Sequence, residues 1–321
     1  MIAFIAQRIM QAVIVMIVMS MLVFVGVYAI GNPIDVLLAP DATQEIRTQT
    51  IARYGLDRPL YEQYGQFIWR VLHGDFGRSF VFGMPVTDLI FQRLPATLEL
   101  TLAAVLGATF IGVPLGLYAG YRPNSRTAQW IMALSVIGFS VPTFWIGLVL
   151  ILTFAVTLGW LPAGGRGETA SLFGIEWSFL TGNGLQHLLL PALNLSLFKL
   201  ALMIRLARAG TREIMLTDTV RFARATGQSE TTIIRQHVLR LIAIPLVTVF
   251  GLELGSTLAF AVVTETIFSW PGVGKLIIDS ITSLDRPVMV AYLVLVSLLF
   301  IAINFTVDLC YVALDPRMKK G

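Results

Sequence analysis

The chain has 321 residues, of which 56% are hydrophobic and 13% charged, with a formal net charge of +4. That is more apolar surface than a water-soluble core of this size encloses, so lipid must be its solvent. The basic surplus, carried mainly by arginines between apolar runs, reports orientation in a bilayer and makes no case for nucleic acid. A single cysteine, Cys310, excludes an internal disulfide framework and, lying in an apolar run, reads as a packing residue.

In chain order, stretches of roughly 20 or more nearly charge-free residues, enough to cross about 30 Å of hydrocarbon, fall near 9–30, 96–120, 130–158, 187–206, 239–263 and 288–312. The expected fold is therefore all-α, a polytopic membrane bundle of six transmembrane helices. The first run follows Arg8 but is too long for a signal peptide and lacks a small-x-small cleavage site, so residues 1–30 read as a retained anchor. Arg8, the Arg122/Arg126 loop, the Arg205 to Arg240 segment and the tail with Arg317, Lys319 and Lys320 share one side, expected to be the cytoplasm and to hold both termini. The opposite short loops carry only Arg166, Lys275 and Arg286.

The long external loop, 31–95, mixes turn signals (Gly55-Leu56-Asp57-Arg58-Pro59, Gly74-Asp75-Phe76-Gly77) with Tyr61, Tyr64, Phe67 and Trp69. It reads as a compact folded cap whose aromatics serve either the membrane interface or docking. Residues 96–321 form the remaining core. In the second span of the chain Gly112, Gly116 and Gly120 recur every four residues, which predicts a stripe that a neighbouring backbone can approach; Gly251 and Gly255 repeat the spacing in the fifth. Gly138, Ser140 and Pro142 predict a bend in the third.

Between the fourth and fifth spans, about 216–227, the pattern predicts a short helix across the foot of the bundle. Thr217 or Asp218 can cap its start, Gly227 can end it in the left-handed conformation, and Ser229 can cap the next helix. Ala223, Ala225 and Gly227 keep it slim enough for a groove on another protein, with Phe222 as an anchor and Arg221 and Arg224 for charge complementarity. The plain alternative is an amphipathic helix resting on anionic lipid head groups.

The run Ala223-Arg224-Ala225-Thr226-Gly227, followed by Ile244-Pro245, resembles the EAA loop of ABC importer permeases of the dipeptide and oligopeptide branch. Agreement extends to Gly55-Leu56-Asp57-Arg58-Pro59-Leu60, Gly74-Asp75-Phe76-Gly77-Arg78-Ser79, Pro95-Ala96-Thr97-Leu98-Glu99-Leu100, Glu265 through Gly274, and Asp308-Leu309-Cys310-Tyr311 through Asp315-Pro316-Arg317. The resemblance implies a B-type transmembrane subunit in a bacterial inner membrane. Its short cytoplasmic helix would be a coupling helix made of Asp218, Thr219, Val220, Arg221, Phe222, Ala223, Arg224, Ala225, Thr226 and Gly227. The implied partners are a second homologous permease, two ATP-binding subunits that hold ATP and Mg, and a periplasmic solute-binding protein. Thr219, Phe222 and Thr226 depart from residues common in the branch, where tyrosine, a small polar residue and lysine stand. Branch members carry dipeptides, oligopeptides, glutathione, nickel chelates, opines and some sugars, and the sequence does not choose among them.

Charges inside spans cost roughly 2.5 to 3.5 kcal/mol each, so each needs an account. Lys199 is expected to snorkel towards the cytoplasmic edge, and Glu99 and Asp308 to pair with neighbours or reach water. Glu265 is expected to brace the Trp270-Pro271-Gly272 turn. Glu253 lies deep in the fifth span, where the branch more often has glutamine; with Ser140 and Pro142 it is a candidate for lining a translocation path and favouring a cationic solute. The other reading is a protonated or ion-paired helix contact.

Competing classes find less support. The three histidines, His73, His187 and His237, are scattered, and no metal-ligand spacing or catalytic site is visible, so neither an enzyme nor a metal or cofactor site is expected. No Gly-x-x-x-x-Gly-Lys-Ser/Thr run is present, so ATP hydrolysis must come from another subunit. A secondary transporter would show an internal repeat and several midplane ligands, and a channel a filter or charge ring.

Overall fold

The apolar runs form long helices in the computed structural model, which describes residues 2–29, 43–54 and 57–314. Gly55, Leu56, the 30–42 part of the external loop, Asp315-Pro316-Arg317 and the terminal lysines lie outside the described residues. Among the described residues, five helical segments are long and apolar enough to cross a membrane: Gln7–Gly26, Val86–Tyr121, Gly182–Met215, Glu230–Phe260 and Arg286–Cys310. The third expected span is a broken pair, Arg126–Gly138 and Thr143–Thr157. The chain divides into two compact units, one reaching to Leu94 and including Lys275–Ile301, the other comprising Pro95–Gly274 and the stretch from Ala302 on.

In the first unit, α1 (Ile2–Ala29) leaves Ile9, Val13, Leu22 and Val25 exposed, as a lipid-facing helix must. After α2 (Gln44–Tyr54) comes α3 (Leu60–Leu72), which packs on α1. Ser20 and Tyr64 hydroxyls lie 2.8 Å apart, and the Phe24 ring stands 5.3 Å from Tyr64 and 5.9 Å from Phe67. Tyr64 and Phe67 are thus packing groups, while Tyr61 and Trp69 are exposed. The Gly74 to Ser79 run builds a tight turn: Gly77 N–H donates to Asp75 Oδ1 at 2.9 Å, and the Arg78 guanidinium donates to the Gly83 carbonyl. The turn is seated on Asp285, whose carboxylate accepts from the Ser79 hydroxyl and from Phe80 N at 3.1 Å.

α4 (Val86–Tyr121) starts about ten residues before the expected span, because its first turns carry Asp88 and Arg93 and only the later ones are apolar. α5 (Arg126–Ser140) is N-capped by Ser125 and stops where Val141 turns extended (φ −96°, ψ 133°). Pro142, which has no N–H to donate, takes the cap position of α6 (Thr143–Leu150), so the bend expected here is a full break. α6 continues as a π-helical stretch, Ile151–Thr157. A two-stranded antiparallel hairpin follows, β1 (Ala170–Leu172) against β2 (Ile175–Trp177), the one small exception to an all-α fold among the described residues besides an isolated bridge, Arg78 to Pro85. Its two-residue turn puts Phe173 and Gly174 at φ 55° and 75°, the left-handed geometry that matches strand twist.

α7 (Gly182–Met215), capped by Thr181, outruns its expected span at both ends. α8 (Asp218–Ala225) and α9 (Glu230–Ile233) lead through a π-helical turn, Ile234–Val238, into α10 (Leu239–Phe260), followed by α11 (Val262–Ile267), α12 (Val273–Thr282) and α13 (Arg286–Leu314). The glycine stripe works as its spacing predicts. A Cβ on Gly112 would stand 2.8 Å from Met203 Cβ, on Gly116 2.5 Å from the Ile204 carbonyl, and on Gly120 2.6 Å from Thr211 Cβ. α4 and α7 therefore meet nearly backbone to backbone. Gly251 of α10 instead makes room for the Val307 side chain of α13.

Candidate functional site

α8 is short because both of its ends are written into the sequence. Thr217 holds the N-cap backbone geometry, although its hydroxyl donates back to the Ile214 carbonyl at 2.7 Å and caps nothing. At the other end Gly227 takes φ 80°, Gly227 N–H reaches the Arg224 carbonyl at 3.0 Å and Gln228 N–H the Ala223 carbonyl at 3.1 Å, closing the helix. Ser229 Oγ then accepts from Thr232 N at 3.2 Å and starts α9.

The helix has two distinct faces. Val220 and Ala223 are buried in a small core with Ile233, against which Ile214 and Met215 pack. Asp218, Thr219, Arg221, Phe222, Arg224, Ala225, Thr226 and Gly227 are exposed, Phe222 at 71%. Ala223 therefore fixes the helix to its own unit and does not slim its outer face, as the sequence suggested. Arg221 pairs with Asp218 at 3.1 Å, both in solvent, while Arg224 clasps Glu230 with two nitrogens at 2.8 and 3.2 Å. Donation of these hydrogen bonds to the Glu230 carboxylate raises the Arg224 pKa above its ordinary value. Arg224 thus ties α8 to α9, leaving Asp218, Arg221 and Phe222 as the outward chemistry.

Within the spans, Lys199 of α7 is buried and its Nζ lies 3.5 Å from Glu253 Oε2 of α10. The ammonium turns across to the neighbouring helix, which replaces the expected snorkelling. Of the two readings of Glu253, ion-paired helix contact is what the geometry contains, with 16% of the side chain still accessible. A charged pair is strongly disfavoured against hydrocarbon, so that open edge faces protein or water. Ser140 and Pro142 are exposed at the helix break, and the Ser140 hydroxyl bonds to the Val136 carbonyl at 2.9 Å. No hydrogen bond or ion pair among the described residues joins Glu253 to Ser140 or Pro142.

Two further carboxylates, Glu99 of α4 and Glu265 of α11, are enclosed. Glu99 accepts from Arg166 Nε at 2.6 Å, from Ser178 N at 2.9 Å and from the Ser178 hydroxyl at 2.8 Å, holding both ends of the β1–β2 hairpin. Glu265 is fully buried and accepts from the Thr97 hydroxyl at 2.6 Å, whose oxygen in turn receives Val273 N–H at 2.9 Å. Gly272 and Gly274 lie directly over the Glu265 carboxylate, and Trp270 Nε1 donates to the Ala96 carbonyl at 2.8 Å. Glu265 is the brace that the sequence reading expected. The partners Arg166 and Lys199 were not foreseen, since nothing in their local sequence marks contacts across 67 and 54 positions.

This architecture has known counterparts. The family model described as the binding-protein-dependent transport system inner membrane component matches residues 112–320, and its N-terminal companion matches residues 1–101. The chain belongs to this family. It is a multi-pass inner-membrane transport component, and the resemblance drawn from the Ala223 to Gly227 run and its companions holds over the full length. The chain is 37% identical to the di/tripeptide transport system permease protein DppB of Pseudomonas aeruginosa and 37% identical to the oligopeptide transport system permease protein AppB of Bacillus subtilis. In both cases 99% of each chain is covered. A chain from the inward-facing MetNI methionine ABC transporter superposes with a TM-score of 0.57 at 19% identity, covering 71% of this permease and 97% of that chain, which shows a shared fold.

Proposed function

We propose that this permease is the transmembrane subunit of an ATP-driven importer of dipeptides or oligopeptides, supplying half of a path between itself and a second, homologous permease. The observation that carries this reading is α8, a helix stopped at both ends, fixed from beneath by Val220 and Ala223, and presenting Asp218, Arg221 and Phe222 outward. In a chain alike from end to end to peptide permeases, that geometry suits a rod held in a cleft of an ATP-binding subunit. Closure of the ATPase on bound ATP and Mg would push α8 and, through Met215 and α7, tilt the spans. A periplasmic solute-binding protein would deliver substrate at the opposite mouth, with both termini and the arginine-rich loops in the cytoplasm.

Glu253 and Lys199 are proposed to border the path, with Ser140 and Pro142 at the break of the third span. A pair with one open edge can exchange its partner for a charged substrate group, and Glu253 favours a cationic or amine-bearing peptide.

The test uses the assembled complex. A Phe222→Cys substitution on a Cys310→Ser background should crosslink to the ATP-binding subunit, and reconstituted vesicles should take up labelled dipeptide only with ATP on the ATPase side. Uptake that persists without ATP, or no crosslink from residue 222 to any subunit, would exclude the proposal in favour of a secondary carrier.

A further inference from the structure

α7 does not end where the membrane does. From Gly182 to Ile204 it covers about 35 Å at the helical rise, close to the hydrocarbon thickness of about 30 Å. Arg205 is therefore the first of its arginines to emerge at head-group level, and Arg208 and Arg212 follow on the same helical face at three- and four-residue steps. This face borders an open cleft of about 500 Å³ between α7 and α5, with Met132 on the α5 side, Leu216 at the outer lip and Glu213 as its one acidic residue.

The cleft is cationic, with three guanidinium groups against one carboxylate. It is also rigid: the Arg208 backbone is held on the far side of α7 by Gly116 and Gly120, where a Cβ would stand 3.1 Å from Arg208 N and 2.7 Å from its carbonyl oxygen. Arg208 Nε is buried and has no hydrogen-bond partner. A buried donor on a permanently charged group is costly unless an acceptor reaches it, and the guanidinium fork matches phosphate oxygens in shape and charge. Met132, Ala209 and Leu216 supply the apolar edge that an acyl-glycerol backbone needs beside the phosphate.

From this we infer that the cleft between α5 and α7 binds the phosphate head group of an anionic membrane lipid, held by Arg208 and Arg212 with Arg205 at the bilayer surface. Depth decides between phosphate sources. A free anion needs no apolar wall and no placement at the hydrocarbon boundary, whereas a lipid needs both. Because Leu216 is the residue before Thr217, a lipid seated here bears directly on the root of α8. The inference depends only on the chain crossing the membrane and stands whatever the substrate is.

The test is native mass spectrometry of the purified complex in detergent, titrated with phosphatidylglycerol or phosphatidylcholine. The wild type should retain phosphatidylglycerol about tenfold better than phosphatidylcholine, and Arg208→Gln/Arg212→Gln should remove that preference while leaving phosphatidylcholine retention unchanged. If the double variant is not recovered from membranes, Leu216→Glu, which adds a carboxylate at the exposed lip, should do the same. Equal retention of phosphatidylglycerol by wild type and variants overturns the site. Displacement of phosphatidylglycerol by millimolar inorganic phosphate assigns the arginines to a free anion and overturns the lipid.

Discussion

Two glutamates inside the second unit show how one residue type is put to opposite uses. Glu265 has no solvent exposure, a Thr97 hydroxyl on one oxygen, and two glycines placed so that nothing displaces it. Glu253 has a single ammonium at 3.5 Å and an open edge. An enclosed carboxylate with short hydrogen bonds locks the loop around it, while one held by a single longer contact with an accessible edge is the less constrained of the two. Glu253 lies within the fifth span and Glu265 just beyond it, and the number and closeness of donors differ accordingly.

The largest effect that would test this contrast is expected at Gly272. Gly272→Val drives side-chain atoms into the Glu265 carboxylate at a turn held by Trp270, and should cost about 3 kcal/mol or more, read as lost abundance in membranes and a lower thermal midpoint in detergent. Glu265→Ala should cost less, roughly 2 kcal/mol, because it strands the Thr97 hydroxyl and opens a void; a midpoint equal to wild type would mean that the brace is ornamental. Glu253→Gln keeps an acceptor beside the buried Lys199 ammonium but removes its counter-charge, so it should lower stability and also lower the uptake ratio of a cationic to an anionic peptide several-fold. An unchanged ratio would reduce Glu253 to a helix contact. Phe222→Ala, at an exposed position, should leave stability within about 0.5 kcal/mol while substrate-dependent ATP turnover of the assembled complex falls at least tenfold.

Features with a local cause were legible in the sequence. The Gly227 stop, the Ser229 cap and the Gly112/Gly116/Gly120 stripe depend on backbone geometry and near neighbours, and each appears where its pattern placed it. Helix ends were less legible, because hydropathy reports only the lipid-facing part: α4 and α7 run on through Asp88, Arg93 and Arg205. Gly138, Ser140 and Pro142 predict a bend in the third span; the extended Val141 beside the proline makes it a break. Pairings across the fold were invisible. Taken alone, Lys199 reads as a residue that snorkels, and only the packing of α7 on α10 shows that its charge is met by Glu253. The Ala223 error has the same origin, since a small residue serves an outer groove or an inner contact equally well until Ile233 is seen beneath it.

The uninterrupted length of α7 carries a mechanical consequence. At about 51 Å it continues past the hydrocarbon on the Arg205 side as one helix that runs through Pro191, so a rotation of about 5° at one end sweeps the other through about 4 Å. Under the coupling proposed above, leverage of that kind would turn a modest shove at the α8 end into a displacement of side-chain size at the other, with the glycine track on α4 as its bearing.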